Sequence, residues 1–432
     1  MAYFRALADA PSEQSSTWRC TLAGLVALRL IDAWATEAPL PDAGLRALER
    51  AINMMDVDAQ EREPLRALRE AMLVEARGRT AAGDSRVLER LREYGESLWL
   101  TAEWALASDA CRTIIRHART TSERAIVPLA YSRLGHCLLA RGRQDAAIEV
   151  FQTARSYASA RGDLRSDLSL RIAETTVEIQ RGNYPAAECI LDEVIAEATF
   201  AALPELKARA MHDRGGVAYK RGDFDRALAL YFRALDEYGT DIGADRVLAD
   251  IAIAVLELGH HDIAREVLQI LERESIEQMQ RWAAMVNLMR IAALDDNEPL
   301  FDGYRRKLAR VRLPVRQRAY YHLFAAQGWL RFDQPSLARR ELARVASAVR
   351  RHQLSELDEE LSSALHKLGL TSATGMAPSD TPELIAVERE SAARTTSDLQ
   401  PLIDHALAAA EAWQRSRRSA PAKSRLAAGA TA

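Results

Sequence analysis

The chain has 432 residues, more than one compact core usually covers, so it is either several globular domains or one elongated array. Its 48% hydrophobic and 28% charged residues exclude disorder throughout. Five of its 58 basic residues are lysines, a bias that with abundant alanine reads as a coding habit, so arginine abundance alone does not signal nucleic acid.

The first twenty residues hold no apolar core behind a basic start, and no stretch reaches the roughly eighteen apolar residues of a membrane span, so the expected location is cytoplasmic and no membrane partner is expected. Trp18 to Trp34 predicts an opening helix, stopped by Pro39 and Pro41. Leu45, Leu48 and Ile52, then Leu65, Leu68 and Met72, follow i, i+3, i+7 spacing and mark one buried helix face each. We take residues 1–127 as a helical region of degenerate repeats. Cys20, Cys111, Cys137 and Cys189 show no CxxC pairing and are expected as small buried residues rather than as a zinc site or disulfide framework.

From residue 128 a repeat is legible. Residues 208–239 give two amphipathic helices around Arg221-Gly222-Asp223, with Gly215 allowing close approach and Ala227, Tyr231 and Ala234 forming a small, large, small stripe. The same skeleton stands at Leu134-Gly135, Gly142, Ala147, Phe151 and Ala154, at Gly182, Tyr184, Ala187 and Leu191, and at Gly259, Ala264, Leu268 and Leu271. Glu174 and Thr175 stand where Leu134-Gly135 stands in the first unit and replace the usual Leu-Gly. Turn glycines at 142, 182, 222 and 259 are 40, 40 and 37 residues apart.

This pattern resembles tetratricopeptide repeats of a long type, similar to those of the maltose-regulon activator's sensor domain and of kinesin light chains. The resemblance implies an all-α, right-handed solenoid of antiparallel helix pairs. Recognisable repeats occupy 128–275. Degenerate ones follow over 276–370, with a weak unit at 282–312 and a clearer one at 319–351 through Trp329, Ala338, Leu342 and Val345. A linker is expected at 371–382, a helix at 383–412 and a disordered basic tail at 413–432.

No phosphate loop, HExxH or GxSxG occurs, so no enzyme and no cofactor are expected. Glu257-Leu-Gly-His260 is a single carboxylate-x-x-histidine where a di-iron site needs two, and is expected as a solvated turn. In a tetratricopeptide array the first helix of each pair lines the concave groove. That register places Ser132, His136 and Leu139, then Ile172, Thr176 and Ile179, then His212, Gly216 and Tyr219, then Ala249, Ile253 and Leu256 on the groove wall. The lysines and asparagines with which chaperone-binding members clamp a C-terminal carboxylate are absent there. A protein or peptide partner, helical or extended, is the expected guest, which makes the chain an interaction scaffold. Alternatively these residues contact neighbouring helices in a closed spiral.

Between Gly303 and Arg351 thirteen basic residues face two acidic ones, a local charge of +11; the tail from Trp413 adds +5, leaving −19 for the remainder. Arg305, Arg306, Lys307, Arg310, Arg312, Arg316 and Arg318 form the densest run, and Arg340, Arg344 and Arg351 share a helix face. Either they form a patch for nucleic-acid phosphate or an acidic partner, serving a ligand-responsive regulator, or they pair with acids on adjacent helices. Nucleic acid is the less favoured partner.

Overall fold

A computed structural model describes residues 2–10, 12, 15–34, 42–77, 86–238, 242–368 and 382–419. Among these residues every regular element is a helix, and no helix is long and apolar enough to cross a membrane. The chain divides into two compact units, Met1–Ala173 and Glu174–Ala432.

The first unit holds α1 (Ala2–Ala8), α2 (Ser16–Trp34), α3 (Asp42–Asn53), α4 (Arg62–Ala76), α5 (Val87–Leu100), α6 (Trp104–His117), the short α7 (Thr121–Ala125), α8 (Val127–Ala140) and α9 (Gln144–Ser159). Helix α10 (Leu164–Gln180) contains the division. The second unit continues with α11 (Tyr184–Phe200), α12 (Pro204–Lys220), α13 (Phe224–Tyr238), α14 (Ile242–Glu257), α15 (His261–Glu274), α16 (Gln278–Leu294), α17 (Glu298–Ala309), α18 (Val315–Arg331) and α19 (Pro335–His352). A 3₁₀ turn (Ser355–Leu357), α20 (Asp358–Lys367) and α21 (Pro382–Ser419) close it. Within each unit consecutive helices pack side by side, the arrangement of an α-solenoid.

One turn recurs. Ala102, Gly142, Gly182, Gly222, Gly259, Asp296 and Asp333 all have positive φ, 40 residues apart up to 222 and 37 apart thereafter. Each ends the first helix of a pair in the left-handed conformation, and the next N–H reaches back to a carbonyl five residues earlier, as Asp223 N to Ala218 O at 3.0 Å and Gln334 N to Trp329 O at 2.7 Å. Glycine takes this conformation without a Cβ penalty. The pair α5–α6, turning on Ala102, therefore opens the series inside the region read as degenerate.

Small residues set the spacing between layers. A Cβ on Gly135 would lie 2.1 Å from the Phe151 ring, and one on Gly215 would lie 2.6 Å from Tyr231. In the N-terminal helices Gly24 makes room for Tyr3 and Tyr94, whose hydroxyls meet at 3.1 Å. Helix α1 thus packs ahead of the predicted opening helix, anchored by the fully buried Tyr3. Thr175, which stands in α10 where the neighbouring units have Gly135 and Gly215, is itself fully buried.

Two expectations change. The C-terminal helix does not stop at 412: α21 runs to Ser419, because Trp413 extends the stripe Leu399, Ile403, Ala406 and Ala410 that buries itself against α13, α14 and α15. Gln414 and Arg418 then donate to Glu274, so the start of the expected disordered tail is ordered. Residues 371–381 of the expected linker and 420–432 of the tail lie outside the described residues. Among the cysteines, Cys111 and Cys137 are buried and burial pushes the Cys137 thiol up to about 12, but Cys20 is half-buried and Cys189 is exposed on α11.

Candidate inner face and basic face of the second unit

In the second unit the first helices α12, α14, α16 and α18 touch one another in a row, while α13, α15, α17 and α19 lie behind them. Side chains that this row turns inward meet across large sequence separations. Lys220 at the end of α12 donates to the Tyr320 hydroxyl of α18 at 2.6 Å and reaches Glu360 of α20 at 3.3 Å. Arg316, one turn before Tyr320, grips Glu356 with two bonds of 2.5 and 2.7 Å. The Glu356 side chain is 0% exposed while that of Arg316 keeps 43%. Tyr219 donates to Glu257 at 2.8 Å, and Arg290 of α16 clamps the same carboxylate at 2.6 and 3.0 Å while lying over the Phe324 ring.

Charge pairing decides the ionisation of these carboxylates. Burial works against charge at Glu356 and Glu257, but Arg316 and Arg290 outweigh it and hold both carboxyls below their usual range. Burial pushes the Tyr219 and Tyr320 hydroxyls well up, so they remain donors. Glu257 was expected in a solvated turn; instead it is the centre of an ion-pair network, because Gly259 turns the chain just beyond it and leaves it on the inner row. Among the described residues no group of three metal-ligating side chains could hold an ion.

The expected groove residues separate into two classes. In the first unit Ser132 and His136 are half-buried, with His136 Nδ1 donating to the Ser132 carbonyl at 2.8 Å, whereas Leu139 and Ile172 are buried. In the second unit Thr176, Ile179, Gly216, Tyr219 and Ile253 are half-buried. His212, Ala249 and Leu256 are buried in helix packing, His212 lying edge-on to Tyr231 and bonded to Asp250 at 2.8 Å. Sequence reasoning missed Lys220, Arg290, Glu356 and Glu360, whose partners lie 33 to 140 residues away and leave no local signal.

The ten basic residues also divide. Arg305 and Arg306 both pair with Asp302, Lys307 lies 4.0 Å from Glu272, Arg344 pairs with Glu341 at 2.8 Å, and Arg316 belongs to the inner network. Arg310, Arg312, Arg318, Arg340 and Arg351 form no ion pair among the described residues, and all five are exposed. The helix face expected to unite Arg340, Arg344 and Arg351 thus carries one neutralised member between two free ones.

No family model matches the chain, and no curated protein matches it. Among solved structures it is similar to a Rap protein complexed with competence and sporulation factor, at 11% identity over 91% of this chain and 100% of that one, with a TM-score of 0.37. A likeness at that level says nothing of function.

Proposed function

We propose that the chain is a non-catalytic interaction protein, an array of long tetratricopeptide-type repeats whose inner face takes up a helical or extended segment of a protein partner in the cytoplasm. The observation that carries this reading is the inner row of the second unit. Ile253 of α14 and Tyr219 of α12 stay half-buried, as does Arg316 of α18, although these helices are packed against neighbours on both sides, and Ile179 of α10 is half-buried as well. Such a row offers apolar contact together with fixed charges, the mixture a peptide groove uses. Binding without catalysis is supported by the state of the titratable groups, since a carboxylate held below its usual range by a guanidinium is a poor general base at neutral pH.

The test is site-specific photo-crosslinking in cells. Crosslinkers at Ile179 and Ile253 should each yield discrete adducts with the same protein, whereas one at the exposed Arg226 of α13 should not, and Ile253→Arg should remove the adduct at Ile179. Equal labelling from Arg226 would overturn the inner-face reading.

A second reading is favoured by the five unpaired arginines: a ligand-responsive regulator that meets an anion, whether nucleic acid or an acidic transcription partner, through residues 305–351. Duplex DNA retention at two salt concentrations tests its nucleic-acid form, because phosphate contacts weaken steeply as salt rises.

A further inference from the structure

Helix α18 presents two faces. Arg316, Tyr320 and Phe324 turn to the inner network, while Val315, Arg318 and His322 fall on the opposite side, about half a turn away. On that opposite side a cavity of about 360 Å³ opens against the C-terminal half of α19, which contributes Arg344, Ser347, Arg351 and His352. Its size is at the small end of ligand sites, and Val315, Ala343 and Ala348 give it an apolar wall.

Its charge is uncompensated. Three guanidiniums line the cavity; of these Arg344 is taken by Glu341 at 2.8 Å, a carboxylate that also meets His322 at 2.6 Å. Arg318 spends a donor on the Leu313 carbonyl at 3.1 Å and keeps the rest, and Arg351 has no ion pair among the described residues. The N-terminus of α18 and the C-terminus of α19 meet at this end with opposite partial charges that offset each other, so the side chains set the sign. A surplus of two positive charges suits a dianion better than a single carboxylate, and a phosphomonoester carries about −1.5 to −2 at neutral pH. Free guanidinium forks on two facing helices can each take two of its oxygens, and the Ser347 hydroxyl can donate to a third.

We propose that the cavity between α18 and α19 binds a small phosphomonoester, its phosphate held by Arg318, Arg351 and Ser347 and its organic part against Val315, Ala343 and Ala348. This inference is independent of the inner-face reading, and it rests on the second reading, to which it gives a ligand. The experiment is calorimetric titration of the full chain with phenyl phosphate, inorganic phosphate and benzoate, beside the variants R318Q/R351Q and R312Q/R340Q. Phenyl phosphate should saturate one site, and R318Q/R351Q should weaken it by about tenfold or more, since each lost charge-assisted contact is worth on the order of one decade. R312Q/R340Q, which removes exposed arginines outside the cavity, should bind as the parent does. Inorganic phosphate and benzoate should each bind about tenfold more weakly, lacking the apolar body and the second charge respectively. Because Ser347→Leu fills the cavity without touching a charge, its loss of binding would support the site even if the double variant misfolded. No saturation by phenyl phosphate up to roughly 10 mM, a concentration that should reveal even a weak fragment, overturns the proposal. So does parent-like affinity of R318Q/R351Q, or equal affinity of either simpler anion. Duplex DNA lost by R312Q/R340Q with no phenyl phosphate saturation would overturn the cavity and leave the broader anion reading standing.

Discussion

Arg316 and Arg318 stand two residues apart on α18 and have opposite surroundings. Arg316 closes on a carboxylate that solvent does not reach, across 40 residues of chain, whereas Arg318 faces a cavity with no acid of its own. Both come from one run of seven cations that looks uniform in sequence. What separates them is the helical turn: a difference of about 200° in direction puts one in the solenoid's inner row and the other on its outer layer. The same residue type therefore serves stability on one face and stays free for a ligand on the other.

The largest effect should come from breaking the inner side of this comparison. Arg316→Ala leaves Glu356 buried without its counter-charge, a change that typically costs about 3 kcal/mol. Urea denaturation followed by circular dichroism should show the midpoint falling accordingly. A second variant, Glu356→Gln in the Arg316→Ala background, should recover part of the loss, since the stranded charge is then gone. A loss below about 0.5 kcal/mol in the single variant would mean that Glu356 is hydrated in solution and the inner face open.

The sequence made the repeats of 128–275 legible because two signals coincide there. A glycine marks each left-handed turn, and a small residue followed four places on by a large one marks each second helix, with a further small residue closing the stripe in α9 and α13. Where Ala102, Asp296 and Asp333 occupy the same turn the first signal is missing, although the hydrogen bonding is identical, so α5–α6, α16–α17 and α18–α19 read as weak or degenerate. Aspartate is among the few side chains that tolerate this backbone. The candidate site was less legible. Helical register places a residue on a face, but whether that face meets solvent depends on neighbours such as Tyr320, which touches Lys220 across 100 residues. Counting charge from Gly303 also stopped one residue short of Asp302, the acid that neutralises Arg305 and Arg306.

A buried carboxylate without a guanidinium of its own sharpens the comparison and reverses the sign with pH. Asp245 on α14 is 1% exposed, accepts from Ser275 at 2.6 Å and leaves its Oδ1 without a partner. Burial, with Glu277 nearby, pushes its carboxyl up to about 7. Its folded value exceeds the unfolded value of about 3.9, so the folded state holds the extra proton in between and stability falls as pH rises through that window. Glu356 has the opposite sign: its folded value lies below the unfolded one near 4.3, so its contribution is present above about pH 5 and is lost as pH falls through the lowered value. Asp245→Asn removes the penalty and should raise stability by more at pH 8 than at pH 5, the difference being on the order of 1 kcal/mol or more. Thermal melts of both proteins at the two pH values measure it; an equal shift at both would remove ionisation as the cause.

The smallest effect belongs to the outer face. Arg340 and Arg351 are exposed and unpaired among the described residues, so Arg340→Gln and Arg351→Gln should each change stability by less than about 0.5 kcal/mol. The direction is informative. If crowded cations repel one another, their removal should stabilise slightly in low salt, and that gain should vanish as salt screens charges beyond about 10 Å at 0.1 M. The deficit of Arg316→Ala should change far less over the same salt range, because its stranded charge lies where counterions do not reach. Chemical denaturation of all three variants at low and high salt therefore places each arginine by its salt response. A clear, salt-independent loss for Arg351→Gln would assign it a structural contact and take it out of the cavity's free charge.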